Sequence, residues 1–245
     1  MEQKRVKKER SLQEQIRLNK FLSDAGYCSR READRLIERG KVTVNHQTAL
    51  MGQKITVNDI VEIDGRQIKR EEEQILLAFN KPVGIECTSD LTNKDNIIDY
   101  INYEKRIYPI GRLDKNSQGL ILLTNDGTFV NQILKASNYH EKEYIVFVDK
   151  PITEDFLESM SSGVEILGQV TRPCIVKKIK KHVFSIILTQ GLNRQIRRMC
   201  ETLGYKVQKL KRVRIMNIEL GNLPMGQYRN ITDEELTELI KAINL

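Results

Sequence analysis

Apolar positions change period several times along this chain, and each change marks an element. Leu18, Phe21 and Leu22 recur at helical spacing, and Gly26 ends that helix. Ser29 and Glu32 have the spacing of a capping box, followed by an apolar stripe of Ala33, Leu36 and Ile37 and a closing glycine at Gly40. The period then drops to two. Val42-Thr43-Val44, a turn at Asn45-His46, Lys54-Ile55 and Ile60 to Ile63 predict small strands, with Asp64-Gly65 as a hairpin turn.

The charged stretch Arg70 to Gln74 interrupts this pattern and reads as a connector. Beyond it, strands are expected at Ile75 to Phe79, along Gly119 to Thr124, at Glu143 to Val148 and at Val183 to Leu188. Asn80 to Gly84 and Asn125-Asp126-Gly127 read as tight turns. Thr153 caps a helix through Met160, Asn193 caps one ending at Gly204, and Thr232 with Glu235 forms a capping box near the end. Helices and strands alternate irregularly, which predicts an α+β fold with a mixed or largely antiparallel sheet. The expected organisation is a flexible basic arm over 1–16, a small domain over 17–70, a linker over 71–74 and a larger domain over 75–245.

Composition narrows the function. The 245 residues are 40% hydrophobic and 30% charged, with no apolar run near the roughly 20 residues that span a bilayer and no apolar signal segment at the N-terminus. Cytoplasmic residence is expected. Cys28, Cys87, Cys174 and Cys200 form no CxxC pair and have no clustered histidines, so neither a disulfide framework nor a zinc site is expected. The net charge of +7 is uneven: residues 1–70 carry 16 Lys/Arg against 10 Asp/Glu, and Arg172 to Arg214 carries 13 basic residues against Glu201 alone. Two basic zones of this kind attract a polyanion. Charge alone equally fits solubility.

The candidate chemistry sits in Tyr108 to Gly127, where Gly111-Arg112-Leu113-Asp114 precedes the apolar run and puts one carboxylate in a glycine-bounded loop. An aspartate in such a loop is most often a turn residue. A second candidate is Gly191 to Met199, in which Arg194, Arg197 and Arg198 crowd the start of a helix, where the macrodipole disfavours cations and a bound anion would resolve the conflict. There is no P-loop, Rossmann glycine fingerprint, Gly-x-Ser-x-Gly elbow or His/carboxylate metal spacing, so no cofactor and no metal is expected.

The string over 108–127, the turn Asn80 to Gly84, Asn138 to Tyr144, Gly168 to Thr171 and Gly191 to Cys200 resemble the pseudouridine synthases of the RsuA/RluB/RluE/RluF family, nearest to the RluF type. Residues 17–34 and 40–45 resemble an S4 RNA-binding domain. The resemblance implies a small S4-type α/β domain followed by a synthase domain with a mixed, largely antiparallel sheet flanked by helices. It implies isomerisation of a uridine in large-subunit (23S) ribosomal RNA after base flipping, with transfer RNA as a further substrate to consider. Asp114 would be the catalytic aspartate, as nucleophile or charge-stabilising group, Arg197 its basic partner, and Tyr144 the aromatic against the target base. Lys20, Arg30, Arg31, Arg35 and Lys41 in the first domain and Lys81, Arg112, Arg194 and Arg198 in the second would bind RNA. A monomer without an obligate protein partner or a membrane association is expected. The alternatives are a synthase of the same family acting on small-subunit ribosomal RNA or transfer RNA, a non-catalytic RNA-binding or ribosome-assembly protein, and a metal-dependent nuclease, which would want several clustered carboxylates.

Overall fold

The computed structural model describes residues 15–69, 73–88, 90, 92–134 and 139–243. The expected basic arm over 1–16 lies outside the described residues except for its last two positions, and so does part of the expected linker. The chain divides into two compact units, Met1–Gln74 and Ile75–Leu245.

In the first unit, β1 (Ile16–Arg17), α1 (Leu18–Asp24) and α2 (Arg30–Glu38) precede β2 (Val42–Val44), β3 (Gln47–Thr48), β4 (Lys54–Ile55), β5 (Val61–Ile63) and β6 (Arg66–Gln67). Four strands pair in the order β3-β2-β5-β6, and β1 pairs with β4. The Ser29 hydroxyl accepts the Glu32 amide at 3.2 Å, so α2 starts at its capping box. Asn45 and His46 both have positive φ, 52° and 64°, the geometry that lets a two-residue loop follow strand twist. Leu18, Leu22, Ala33, Ile37, Val42, Ile55, Val61 and Ile63 close one core between the helices and the sheet.

The second unit is built on a nine-stranded sheet among the described residues. Its strands are β7 (Leu76–Lys81), β8 (Tyr108–Ile110), β9 (Gln118–Thr124), β10 (Lys142–Val148), β13 (Ile175–Lys180), β14 (Val183–Leu188), β15 (Val207–Ile215), β16 (Ile218–Glu219) and β17 (Tyr228–Asn230). A separate hairpin joins β11 (Glu165–Ile166) to β12 (Gln169–Val170). The order is β13-β14-β10-β15-β9-β7-β17, with β8 also on β9 and β16 also on β15. All pairings are antiparallel except one: β15 and β9 run parallel, through Lys211 opposite Gln118 and Arg212 opposite Gly119. That seam joins two antiparallel halves. Gly119 is required there, because its φ is +105° and a Cβ would overlap the Arg212 carbonyl oxygen and stand 2.8 Å from the Arg212 nitrogen.

The helices α3 (Ile97–Ile101), α4 (Gly127–Leu134), α5 (Glu154–Ser162), α6 (Gln195–Thr202) and α7 (Asp233–Ile243) complete the unit. The β7–β9 pair is buried on both faces. Leu120 and Leu122 join a core with Phe129, Ile133, Ile218 and Leu239, whereas Ile121 and Leu123 join Leu77, Phe79, Ile97 and Leu113 on the other side. Double-sided burial is why β9 reads as an unbroken apolar run rather than an alternation. A third core packs α5 and α6 on β10 and β14 through Val146, Phe156, Met160, Phe184, Ile186 and Met199. Where a tight turn was expected at Asn125-Asp126-Gly127, Gly127 instead begins α4, and Asp126 Oδ1 accepts the Thr128 amide at 2.8 Å.

Candidate active site

Gly111 to Ser117 links β8 to β9 and carries Asp114. Its anchors are numerous. Leu113 is buried and its amide donates to Cys87 Sγ at 3.3 Å. The Ser117 amide donates to the Asp114 carbonyl at 3.0 Å, and the Lys115 carbonyl accepts the Gly84 amide at 2.9 Å. The Lys115 ammonium pairs with Asp95 at 2.8 Å. A loop tied at so many points holds its carboxylate in place.

Asp114 lines a cavity of about 660 Å³ together with Arg112, Tyr144, Arg194, Arg197 and Arg212. Its ion-pair partner differs from the one expected. Arg194 Nη1 lies 3.6 Å from Asp114 Oδ2. Arg197 instead holds the loop itself: its Nη2 donates to the Asn116 carbonyl at 2.8 Å and to Ser117 Oγ at 3.2 Å. The reason is the helix start. Asn193 was expected to cap α6, but Arg194 occupies the N-cap with φ 51° and ψ 34°, and no side chain caps the helix there. This left-handed turn brings Arg194 to the carboxylate, while Arg197 lies one turn into the helix. Burial and the neighbouring Arg194 charge lower the Arg197 pKa, and Asp114 opposes that shift.

Tyr144 stands on β10 and packs against two of the cores. Val213 is an extra residue on β15 between the partners of Glu143 and Tyr144, so Arg212 falls directly opposite Tyr144. Arg212 is buried, donates from Nε to the Leu120 carbonyl at 2.7 Å, and has its guanidinium carbon 6.0 Å from the Tyr144 ring centre. Lys142 lies two residues before Tyr144, hence on the same strand face, and also lines the cavity. Burial, with the Arg212 charge as a smaller cause, lowers its pKa from 10.5 to about 8.

Two residues expected to bind RNA are otherwise occupied. Lys81 is completely buried, and its ammonium donates to the Pro82 and Ile85 carbonyls at 2.9 and 2.6 Å. It is a strut for the turn it precedes, a correction that follows from β7 being buried along its whole length. Arg198 turns back to the Asn193 carbonyl at 3.1 Å and the Asn193 side-chain oxygen at 3.2 Å. In the first unit, Arg30, Arg31, Arg35 and Lys41 are exposed. Arg35 pairs with Glu32, Lys41 with Asp64, and the half-buried Lys20 with Asp24 at 2.5 Å.

Among the described residues, Gln190 Nε2, Arg197 Nε and Arg212 Nη2 are buried donors without a hydrogen-bond partner, and all three residues line the cavity. A buried unpaired donor is costly, so such a wall suits a ligand rich in acceptors. Among the described residues no group of three His, Cys, Asp or Glu side chains could hold a metal ion, and no helix is long and apolar enough to cross a membrane.

The family model for RNA pseudouridylate synthases matches residues 75–202, and that for the S4 domain matches residues 16–61. The chain belongs to the RNA pseudouridylate synthase family. This synthase is 56% identical to the dual-specificity RNA pseudouridine synthase RluF of Escherichia coli (strain K12), over 93% of its own length and 79% of the relative's. It is 35% identical to the ribosomal large subunit pseudouridine synthase B of Bacillus subtilis (strain 168), over 91% and 95%. A crystal structure of a pseudouridylate synthase superposes with a TM-score of 0.66 at 26% identity, covering 91% of this chain and 99% of that one.

Sequence reasoning did not find Lys142, Cys87 or Arg212 in the synthase's cavity wall. The i, i+2 spacing to Tyr144 was a usable signal for Lys142. For Arg212 the signal was hidden, because four cations in Val207–Ile215 mask the strand that places it.

Proposed function

We propose that this synthase converts a uridine of large-subunit ribosomal RNA to pseudouridine with Asp114 as its catalytic carboxylate. The single observation that carries the reading is the Asp114 carboxylate fixed in the wall of a cavity roomy enough for a nucleotide, beside Arg194 and Tyr144. The likeness to an RNA pseudouridine synthase and to a ribosomal large subunit pseudouridine synthase supports an RNA, and a ribosomal RNA, as substrate. The dual specificity of the first relative supports a second RNA substrate, such as transfer RNA. Residues 17–70 dock RNA through exposed Arg30, Arg31, Arg35 and Lys41, and residues 75–245 carry the chemistry, joined by a linker over 71–74. A monomeric, cytoplasmic enzyme completes the reading, the location following from a ribosomal substrate.

The target uridine leaves its stack at a cost of a few kcal/mol and enters the cavity. Tyr144 lies against the base. Asp114 assists cleavage of the N1–C1′ bond, and Arg197 keeps the Asp114 loop in position by its grip on Asn116 and Ser117. The base turns within the cavity and C5 bonds to C1′. The C5 proton leaves and N1 gains one, so the product has the composition of the substrate. Lys142, Arg212 and Gln190 supply donors to the acceptor oxygens of the bound nucleotide. Pseudouridines mapped in ribosomal RNA from cells with and without the protein test the reading: one or more large-subunit sites should vanish with the protein. An unchanged map of ribosomal and transfer RNA would refute it.

A further inference from the structure

Tyr139 has an unusual setting for a surface tyrosine. Its backbone is left-handed, with φ 53°, a region that non-glycine residues occupy at some cost. The residue is 60% exposed, and the Arg172 guanidinium carbon lies 4.2 Å from the ring centre. Arg172 is itself fixed: Nη1 donates to the Thr189 carbonyl at 3.3 Å, and its amide donates to Gln190 Oε1 at 3.3 Å. Thr189, Gln190 and His140, the residue after Tyr139, all line the catalytic cavity. The tyrosine–arginine stack therefore stands at the cavity rim, with one ring face covered by a cation and the other available.

We propose that Tyr139, backed by Arg172, forms a stacking subsite for the base of a nucleotide adjacent to the extruded uridine. The inference rests on the RNA-modifying reading above. Extrusion leaves the neighbouring bases without one of their stacking partners, and an aromatic face at the rim restores that contact. Stacking on an aromatic side chain accepts any base, since every base has a π-face. The guanidinium beneath the ring adds positive charge where the strand's phosphates enter, and it keeps the ring from turning away. The subsite thus contributes grip and register rather than chemistry, and its loss should appear in KM.

The test uses the full chain and an RNA fragment carrying the mapped target uridine, with matched fragments that have an abasic nucleotide on its 5′ or 3′ side. Tyr139→Ala should raise KM about ten-fold with kcat nearly constant, and Tyr139→Phe should behave as wild type. For one of the two abasic fragments, wild type should show a similar KM penalty and Tyr139→Ala little further loss. An unchanged KM for Tyr139→Ala, or the same abasic penalty in both proteins, overturns the subsite. Turnover of the intact fragment by wild type is measured alongside. Its absence would count against the enzymatic reading as well, whereas its presence with no coupling to Tyr139 would count against the subsite alone.

Discussion

Arg194 holds the Asp114 carboxylate at 3.6 Å from a left-handed N-cap position, with a φ of 51°. Both side chains are more than a third exposed, at 44% and 36%, so the pair adds less than about 1 kcal/mol to folding. The strained backbone costs at least as much. An arrangement that stability does not explain points to orientation of the carboxylate.

Arg194→Asn separates the two roles. Asparagine tolerates a left-handed backbone but removes the charge. The variant should unfold within about 1 kcal/mol of wild type while losing about ten-fold or more in kcat/KM. Urea unfolding and turnover of labelled RNA measure the two quantities. A large loss of stability would make Arg194 a structural residue instead.

Lys142 should titrate visibly. Its folded pKa is about 8 against 10.5 for the free side chain, mainly through burial. Below pH 8 both folded and unfolded chains hold the proton, so the cost of the buried charge, on the order of 3 kcal/mol, is fully present. It fades as pH rises from 8 towards 10.5, because the folded chain releases the proton first. Lys142→Met should therefore raise the melting temperature most below pH 8, with the gain shrinking above it. The same proton matters for binding: wild-type RNA affinity should fall as pH passes 8, and the variant should lack that step. Parallel pH profiles of melting temperature and Kd check both.

Gly119→Ala tests the parallel seam. A methyl group there would overlap the Arg212 carbonyl oxygen at a φ of +105°, and backbone atoms yield less readily than the end of a side chain. A loss of at least about 3 kcal/mol is expected, read as a shift in urea midpoint. Since β9 follows the Asp114 loop and β15 carries Arg212, activity should fall in the fraction that still folds.

Local signals carried most of what the sequence revealed. The Ser29, Thr153 and Thr232 caps are all present, because a cap depends on residues three positions apart. The strand expected at Val183 to Leu188 forms over those residues, since its burial on β10 and α5 leaves a dense apolar run. Non-local contacts were less legible. Val207–Ile215 is the central strand, yet Lys209, Lys211, Arg212 and Arg214 hide its pattern; Arg214 is neutralised by Glu141 and Glu143 on a neighbouring strand and its approach. Lys81 was expected to bind RNA because nothing nearby in sequence discloses that β7 is covered on both sides. The arginine cluster at 194–198 pointed to Asp114, but which guanidinium reaches it depends on one left-handed residue that no propensity anticipates.

Replacement of Asp114 by asparagine tests the central claim most directly. The side chain keeps its size and loses its charge, in a loop whose anchors are mainly backbone groups and the neighbouring Leu113, Lys115 and Ser117. Wild type and Asp114→Asn are each incubated in excess over large-subunit ribosomal RNA, with RNA binding and pseudouridine content read from the same samples. The account predicts that the variant binds with unchanged affinity and forms no pseudouridine. Conversion of the target uridine by Asp114→Asn at the wild-type rate would contradict it.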